Sequence, residues 1–242
     1  MNTVEFIING KMVRAVRDEC IMKIARENGI PIDGLCYSPE LESAGGSCRL
    51  CLVEVHEKGK MRVVTSCNYP VRDNIEVKTD TPFIKKIKRN IIELLMAKVP
   101  ESEVIREIAA REGIEKSRYK HIEFDQPLNK CISCGLCTQV CAEIVGVSAI
   151  SMINRSYEKT AHTPFKKESA VCIGCGACAY ICPTHAIEMK DRDNTRVIWG
   201  REFVMQRCKE CGIPYIPEAQ VSWIVETTGK DRNFFEKCPD CR

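Results

Sequence analysis

The seventeen cysteines of this 242-residue chain sort into four groups of four with one left over. Cys36, Cys48, Cys51 and Cys67 form the first group, and Cys131, Cys134, Cys137 and Cys141 the second. Cys172, Cys175, Cys178 and Cys182 form the third, Cys208, Cys211, Cys238 and Cys241 the fourth, and Cys20 stands apart. Disulfides need pairs, but nothing in disulfide chemistry asks for fours or for C-x2-C repeated seven times. Centres that take four thiolates ask for both. Such ligands require reduced thiols, so a cytoplasmic location is expected. Val4-Glu5-Phe6-Ile7-Ile8 reads as a strand, not as the core of a signal peptide. With 44% hydrophobic and 29% charged residues the chain has the composition of a folded protein, and no run of about 18 apolar residues offers a membrane span.

The second and third groups each read C-x2-C-x2-C-x3-C, the run that holds [4Fe–4S] clusters in bacterial ferredoxins. Short spacings let one tight loop occupy three corners of a cubane, while the fourth cysteine, one helical turn on, reaches the other cluster. The expected ligand sets therefore cross: Cys131, Cys134, Cys137 and Cys182 for one cubane, and Cys141, Cys172, Cys175 and Cys178 for the other. Gly135, Gly174 and Gly176 suit loops whose amides turn toward sulfur. Two zinc knuckles are the bland alternative, but zinc sites pair C-x2-C doublets rather than building quartets.

The spacing of Cys36, Cys48, Cys51 and Cys67 is less diagnostic, and structural zinc competes with a [2Fe–2S] cluster there. Context favours the cluster. Residues 3–9 and 11–16 read as strands joined at Asn9-Gly10, a hairpin signal. A helix follows over about 19–28, then a loop with Gly45-Gly46-Ser47, then strands near 51–57 and 61–66. Together these predict a β-grasp [2Fe–2S] ferredoxin domain. Between the cluster domains, Pro82 to about Val99 and Glu101 to about Glu112 read as amphipathic helices, with Ile84, Ile87, Ile91, Leu94 and Leu95 on one face. Lys85, Lys86, Lys88 and Arg89 would line the solvated face, or a docking surface.

Cys208, Cys211, Cys238 and Cys241 make two knuckles of the kind that opposed hairpins present to one tetrahedral ion, and Val221-Ser222-Trp223-Ile224-Val225 between them is β-prone. A small zinc ribbon is expected, with mononuclear iron or a third [4Fe–4S] cluster as alternatives. The fold class expected overall is α+β: a [2Fe–2S] domain over residues 1–80, a helical connector over 81–125, a two-cluster bacterial-ferredoxin-like domain over 126–192 and a four-cysteine module over 193–242. Cys20, near the start of the first helix, is read as a small packed residue. No P-loop, dinucleotide fingerprint or nucleophile–base constellation is present, so no active site is read in the chain.

Gly34-Leu35-Cys36, Gly46-Ser47-Cys48-Arg49-Leu50-Cys51-Leu52-Val53-Glu54-Val55, Cys131-Ile132-Ser133-Cys134-Gly135-Leu136-Cys137, Val145-Gly146-Val147-Ser148-Ala149-Ile150 and Cys172 through Ile187 resemble one group of proteins over roughly residues 1–190. That group comprises the large peripheral iron–sulfur subunit of respiratory complex I, [FeFe]-hydrogenases and the diaphorase small subunit of NAD-linked hydrogenases. The resemblance implies an electron-transfer subunit of an NAD(P)(H)-linked oxidoreductase complex, a hydrogenase, with electron-bifurcating hydrogenases among the complexes it covers. Its partners would be a flavoprotein NAD(H)-binding subunit and a second catalytic subunit such as a hydrogenase. A transhydrogenase or formate dehydrogenase complex, or a free-standing polyferredoxin, are the alternatives. Two departures qualify it. Family members usually carry a cluster bound by one histidine and three cysteines between the ferredoxin domains, whereas residues 68–130 hold no cysteine and one histidine, His121. No hydrogenase active-site domain is read after residue 192, so this chain is not expected to act on hydrogen itself. Four centres of net charge −2 each would turn the formal +3 into about −5, which argues against nucleic acid as a partner, and no membrane insertion is expected.

Overall fold

The computed structural model describes residues 3–42, 45–123 and 128–242. The chain divides into two compact units, Met1–Leu136 and Cys137–Arg242. The division runs through the second cysteine group. The boundary expected between residues 125 and 126 lies outside the described residues.

In the first unit, β1 (Thr3–Ile8) and β2 (Lys11–Val16) pair antiparallel around Asn9 and Gly10. Both turn residues have positive φ, 51° and 81°, the requirement of the tight turn whose twist matches a hairpin. After α1 (Ile21–Glu27) come β3 (Leu52–Glu57), β4 (Lys60–Thr65) and β5 (Glu76–Lys78). The sheet order is β2-β1-β5-β3-β4, with β1 and β5 parallel and the other pairs antiparallel. Alternate residues Val4, Phe6 and Ile8 of β1 face inward, where they meet Val53, Val55 and Val77 and the buried side of α1 at Ile21, Met22, Ile24 and Ala25.

The connector is two helices. Thr81 caps α2 (Pro82–Lys98) by accepting from the Ile84 amide at 3.1 Å, and Ser102 caps α3 (Glu103–Arg111) by accepting from Ile105 at 3.4 Å. The face that α2 buries departs from the expected one at one edge, since Ile91 and Leu95 pack on the connector core as read. Ile84 is buried as expected, but Ile92 is buried while Leu94 is 51% exposed. The cause is Glu93: its carboxylate, 1% exposed, takes an inward position because Arg118 Nε donates to it at 2.6 Å and Arg89 stands at 3.5 Å.

From Leu136 the chain forms a short helix, α4 (Leu136–Gln139), that widens into a π turn over Val140–Ile144. In the second unit β6 (Ser151–Ile153) pairs with β7 (Thr160–His162), and α5 (Ala177–Tyr180) follows the third cysteine loop. A four-stranded antiparallel sheet closes the unit, ordered β11-β10-β9-β8 from β8 (Met189–Arg192), β9 (Thr195–Ile198), β10 (Arg201–Arg207) and β11 (Pro214–Pro217). Residue 193, the expected start of the last module, lies in the β8–β9 turn.

The expected C-terminal ribbon is corrected here. Val221 to Val225 are not strand but part of a helix, α6 (Glu218–Thr228). Pro217 fixes the backbone ahead of it, Gly229 ends it in a left-handed turn at φ 69°, and Val221 is fully buried. Burial against β10 and β11 overrides the β-propensity of this run. The second knuckle likewise comes from successive 3-10 turns, Arg232–Glu236 and Pro239–Cys241, rather than from a hairpin.

Candidate metal centres

All seventeen cysteines are free thiols. In the first group Cys36 and Cys48 have their sulfurs 3.4 Å apart, Cys36 also contacts Cys67, and Cys67 contacts Cys51. The fold thus gathers all four, each no more than 3% exposed. Backbone amides point at them: Leu35 N–H donates to Cys48 Sγ at 3.4 Å, Cys48 N–H to Cys36 Sγ at 3.3 Å and Gly46 N–H to Cys67 Sγ at 3.0 Å. Gly45 and Gly46 sit at φ 127° and 77°, and a Cβ on Gly45 would stand 3.0 Å from Cys67 Sγ. Glycine is needed there because the loop lies directly on the sulfur. Hydrogen bonding from Cys48 holds the Cys36 thiol down to about 2, and the same crowding drives Cys67 upward. Cys51 is held down to about 6, chiefly by Cys67 and further by the Ser66 hydroxyl. Four buried sulfurs competing for shared protons are a donor set that a metal centre relieves by displacing those protons.

Cys172, Cys175 and Cys178 line one cavity together with Cys141, and Val147, Ile150, Ile173 and Ile198 make up much of its wall. The loop is organised peptide by peptide. Amides of Gly174 and Ala177 point at Cys172 and Cys175, and Ala149 N–H donates to Cys141 Sγ at 3.2 Å. The carbonyls face outward onto two arginines. Arg196 Nη1 donates to Gly174 O at 3.2 Å, and Arg201 Nη1 to Ser169, Ala170 and Cys172 carbonyls at 2.8, 2.9 and 3.0 Å. Gly174 and Gly176 have φ of 70° and 79°, and a Cβ on either would meet Phe203 or Met189 at 2.6 Å. Burial pushes the Cys178 thiol up to about 12, against a hydrogen bond from the Trp199 indole, whose Nε1 is 3.4 Å from the sulfur. The cavity therefore offers four thiol sulfurs, inward amides and an otherwise apolar wall, which fits a cluster of iron and sulfide and offers nothing to a hydrated ion.

The remaining cysteines of the second and third groups repeat the devices of this loop. Ser133 has φ 58°, in the position corresponding to Gly174, and its amide donates to Cys131 Sγ at 3.4 Å. Ala186 N–H donates to Cys182 Sγ at 3.3 Å, as Ala149 does to Cys141, and each follows a residue of positive φ, His185 at 49° and Ser148 at 48°. Cys134 packs at the edge of the connector core, and Cys137 is buried. Cys20 joins no group; its thiol lies 3.5 Å from the Tyr37 hydroxyl.

In the fourth group the sulfurs of Cys208, Cys211, Cys238 and Cys241 all lie within 4.8 Å of one another, and Cys211 and Cys238 are 3.9 Å apart. A tetrahedral ion with Zn–S bonds near 2.3 Å sets its sulfurs about 3.8 Å apart. Amides of Cys211 and Cys238 hold the Cys208 thiol down to about 6. The knuckles are tied together by the Lys209–Glu236 ion pair and by Lys237 and Glu210 at 2.7 Å.

Sequence reasoning found the sulfurs and missed what surrounds them. Arg196, Trp199 and Arg201 belong to the β9–β10 hairpin, far along the chain from the loop they serve, and carry no motif. Ser133 could have been found by aligning the second and third cysteine runs, where it matches Gly174.

Residues 1–82 match the family described as 2Fe-2S iron-sulfur cluster binding domain. Residues 121–183 and 171–213 match two families described as 4Fe-4S dicluster domain. The chain is therefore an iron–sulfur protein, with a 2Fe-2S domain followed by 4Fe-4S dicluster domains and a C-terminal four-cysteine group. More particularly, it is similar to iron–sulfur subunits of pyridine-nucleotide oxidoreductases and hydrogenases. It is 31% identical over 172 residues to the NADPH-Fe(3+) oxidoreductase subunit alpha of Geobacter sulfurreducens, covering 63% of this chain and 20% of the relative. It is 29% identical over 184 residues to the NADH-ubiquinone oxidoreductase 75 kDa subunit of Reclinomonas americana, covering 68% and 26%. Against the NADP-reducing hydrogenase subunit HndD of Solidesulfovibrio fructosivorans it is 29% identical over 194 residues, covering 70% and 33%. The chain thus spans between a fifth and a third of these relatives' lengths. Its fold matches a chain in the crystal structure of an NAD+-reducing [NiFe]-hydrogenase in the H2-reduced state, with a TM-score of 0.65, 24% identity and coverage of 76% and 86%. Among the described residues no helix is long and apolar enough to cross a membrane.

Proposed function

We propose that this chain relays single electrons within a cytoplasmic, multi-subunit NAD(P)(H)-linked oxidoreductase. It would connect a flavin-bearing NAD(H) subunit to a second catalytic subunit such as a hydrogenase. The [2Fe–2S] ligands would be Cys36, Cys48, Cys51 and Cys67, in a domain whose sheet order and crossing helix support the β-grasp reading. Cys131, Cys134, Cys137 and Cys182 would hold one cubane, on the strength of their spacing, and Cys141, Cys172, Cys175 and Cys178 the other. When bound, these clusters supply one-electron chemistry. The chain's own residues bury them, exclude water and aim N–H dipoles at their sulfurs.

The observation that carries the relay is a shared core. Cys36, Cys48 and Leu50 on the [2Fe–2S] side pack in one buried cluster with Ile92, Val99, Ile105 and Ile108 of the connector, and with Ile132 from the first cubane loop. Cys134 packs against the same cluster. Side chains of the connector thus pack with both the first cysteine group and the loop of Cys131 and Cys134, in the stretch of chain where relatives of this kind usually insert an additional cluster.

The fourth group is read as a single zinc ion. One dicluster match runs through Cys208 and Cys211, which alone would leave a third cubane open. The sulfur separations argue otherwise, since thiolates on the four iron corners of a cubane stand well clear of one another and these lie within 4.8 Å.

The test is anaerobic purification with metal analysis and low-temperature EPR. About ten irons and one zinc per chain are expected, from one [2Fe–2S] and two [4Fe–4S] clusters. Cys48→Ser should abolish the [2Fe–2S] signal and leave both cubane signals. In native extract a flavoprotein should co-purify and pass electrons from NAD(P)H to the clusters. Colourless protein without acid-labile sulfide would overturn the cluster assignments, and full reduction by no flavoprotein–nucleotide pair would overturn the relay.

A further inference from the structure

We propose that Trp199 is a positioning residue that sets the potential at which the cubane at Cys141, Cys172, Cys175 and Cys178 accepts an electron. The inference rests on the reading of that cavity as a cubane site and goes beyond it by naming a tuning group outside the cysteine motif.

Three observations carry it. Trp199 Nε1 lies 3.4 Å from Cys178 Sγ, and the indole forms part of the cavity wall. Amide donors to sulfur come with the loop backbone and are available to any sequence that folds this way, but an indole donor must be supplied by a particular side chain. Second, Trp199 occupies φ 55°, next to Gly200 at φ 77° in the β9–β10 turn. A bulky aromatic residue is out of place in that left-handed conformation, where asparagine or glycine would sit at lower cost. The turn alone gives no reason for tryptophan, whereas the sulfur does. Third, the hairpin is locked on both sides of the indole. Arg196 before it and Arg201 after it hold carbonyls of the same cysteine loop, and the His162 ring meets the indole edge-on at 5.5 Å between centroids. The N–H is thereby aimed at the sulfur with little freedom to turn away.

An N–H dipole directed at a ligand sulfur stabilises the cluster more after it has gained an electron than before, because the added charge resides partly on sulfur. The bond therefore raises the potential. The test uses the full chain, purified without oxygen, with an EPR-monitored redox titration of Trp199→Phe. Iron and labile sulfide should be retained, and the midpoint of this cubane should fall by roughly a tenfold change in its one-electron equilibrium constant, about 59 mV. The [2Fe–2S] and other cubane midpoints should not move. An unchanged midpoint with all clusters intact would overturn the proposal. Should the variant lose its cluster, wild-type chain labelled with 15N in the indole ring decides. The reduced cubane should show a nitrogen coupling that a Trp223→Phe variant keeps, and its absence would overturn the proposal. A wild-type chain with no second cubane signal would instead overturn the site assignment, and this proposal with it.

Discussion

Arg196 and Asp191 clasp each other through two parallel hydrogen bonds of 2.8 Å, from Nε to Oδ1 and from Nη2 to Oδ2. That pairing orients the guanidinium so that Nη1 reaches the Gly174 carbonyl. The arginine is buried while the aspartate is half exposed, so the pair acts as a bracket between the β8–β9 hairpin and the third cysteine loop. Lysine would keep the charge but lacks the planar fork that serves both partners at once. Arg196→Lys is therefore expected to leave the Gly174 carbonyl unpaired, at a cost of about 1–3 kcal/mol. Anaerobic urea titration followed by cluster absorbance would measure it. An unchanged midpoint would mean that the bracket does not hold the loop.

Gly174 sits between the sulfur cage and Phe203 of β10. A Cβ there would lie 2.6 Å from the phenyl ring, on a residue already at φ 70°. Gly174→Ala thus combines backbone strain with a clash against a side chain that is 3% exposed and has nowhere to go. The expected outcome is loss of about four irons per chain, with the [2Fe–2S] signal intact. Gly59→Ala is the control, since it too has positive φ, 74°, but nothing within 4 Å of the added carbon. Equal iron loss in both would assign the effect to backbone strain alone.

How much of this could be read in advance differs from feature to feature. The cysteine groups were legible because thiolate spacing is a local property, and the β1–β2 hairpin because Asn9-Gly10 demands its turn. The outward face of α2 was legible, with Lys85, Lys86 and Arg89 exposed, but its inward face was only partly so: periodicity counts Glu93 as polar, and only the tertiary partner Arg118 explains why it points inward. The run Val221 to Val225 was misjudged because β-branched residues favour strands until a buried site on a sheet outweighs that preference. Trp199, Arg196 and Arg201 were invisible because they act on the cysteine loop through a fold that returns to it, and no spacing rule covers that.

Glu93 provides a pH test. Hydrogen bonding from Arg118 holds its carboxyl below the usual carboxylate value, so the folded state binds the proton less readily than the unfolded chain. The stabilisation is complete above the ordinary carboxylate range, near pH 4.5, and is lost as pH falls through the lowered folded-state value. Stability of the first unit, read from the tertiary fluorescence of Tyr119 and its neighbours or from amide exchange in α2, should decline over that acid window in wild type. Glu93→Gln should be less stable at neutral pH and flatter below it. An acid profile identical in the two proteins would show that the Glu93–Arg118 pair contributes nothing.

A zinc ion held by the fourth group would have a structural consequence of its own. Cys208 follows directly on β10, whose Phe203 underlies Gly174 and whose Arg201 holds the Cys172 carbonyl. The segment leading into the second knuckle is held by the Lys209 N–H of the first knuckle, which donates to the Glu236 carbonyl at 2.8 Å, and by Tyr215 Oη–H, which donates to the Phe235 carbonyl at 2.5 Å. Those bonds alone close a loop of nearly thirty residues, and a zinc ion would add four bonds across the same closure. Removing zinc with a strong chelator at neutral pH should release one equivalent without iron, and should speed amide exchange at Cys208, Gly212 and Cys238. A smaller acceleration should follow along β10, whose far end is held independently by Arg201. Cys241→Ser should reproduce the exchange pattern and lower zinc retention at least tenfold. If chelation instead released iron, or left exchange at these amides unchanged, the closure would not depend on a zinc ion.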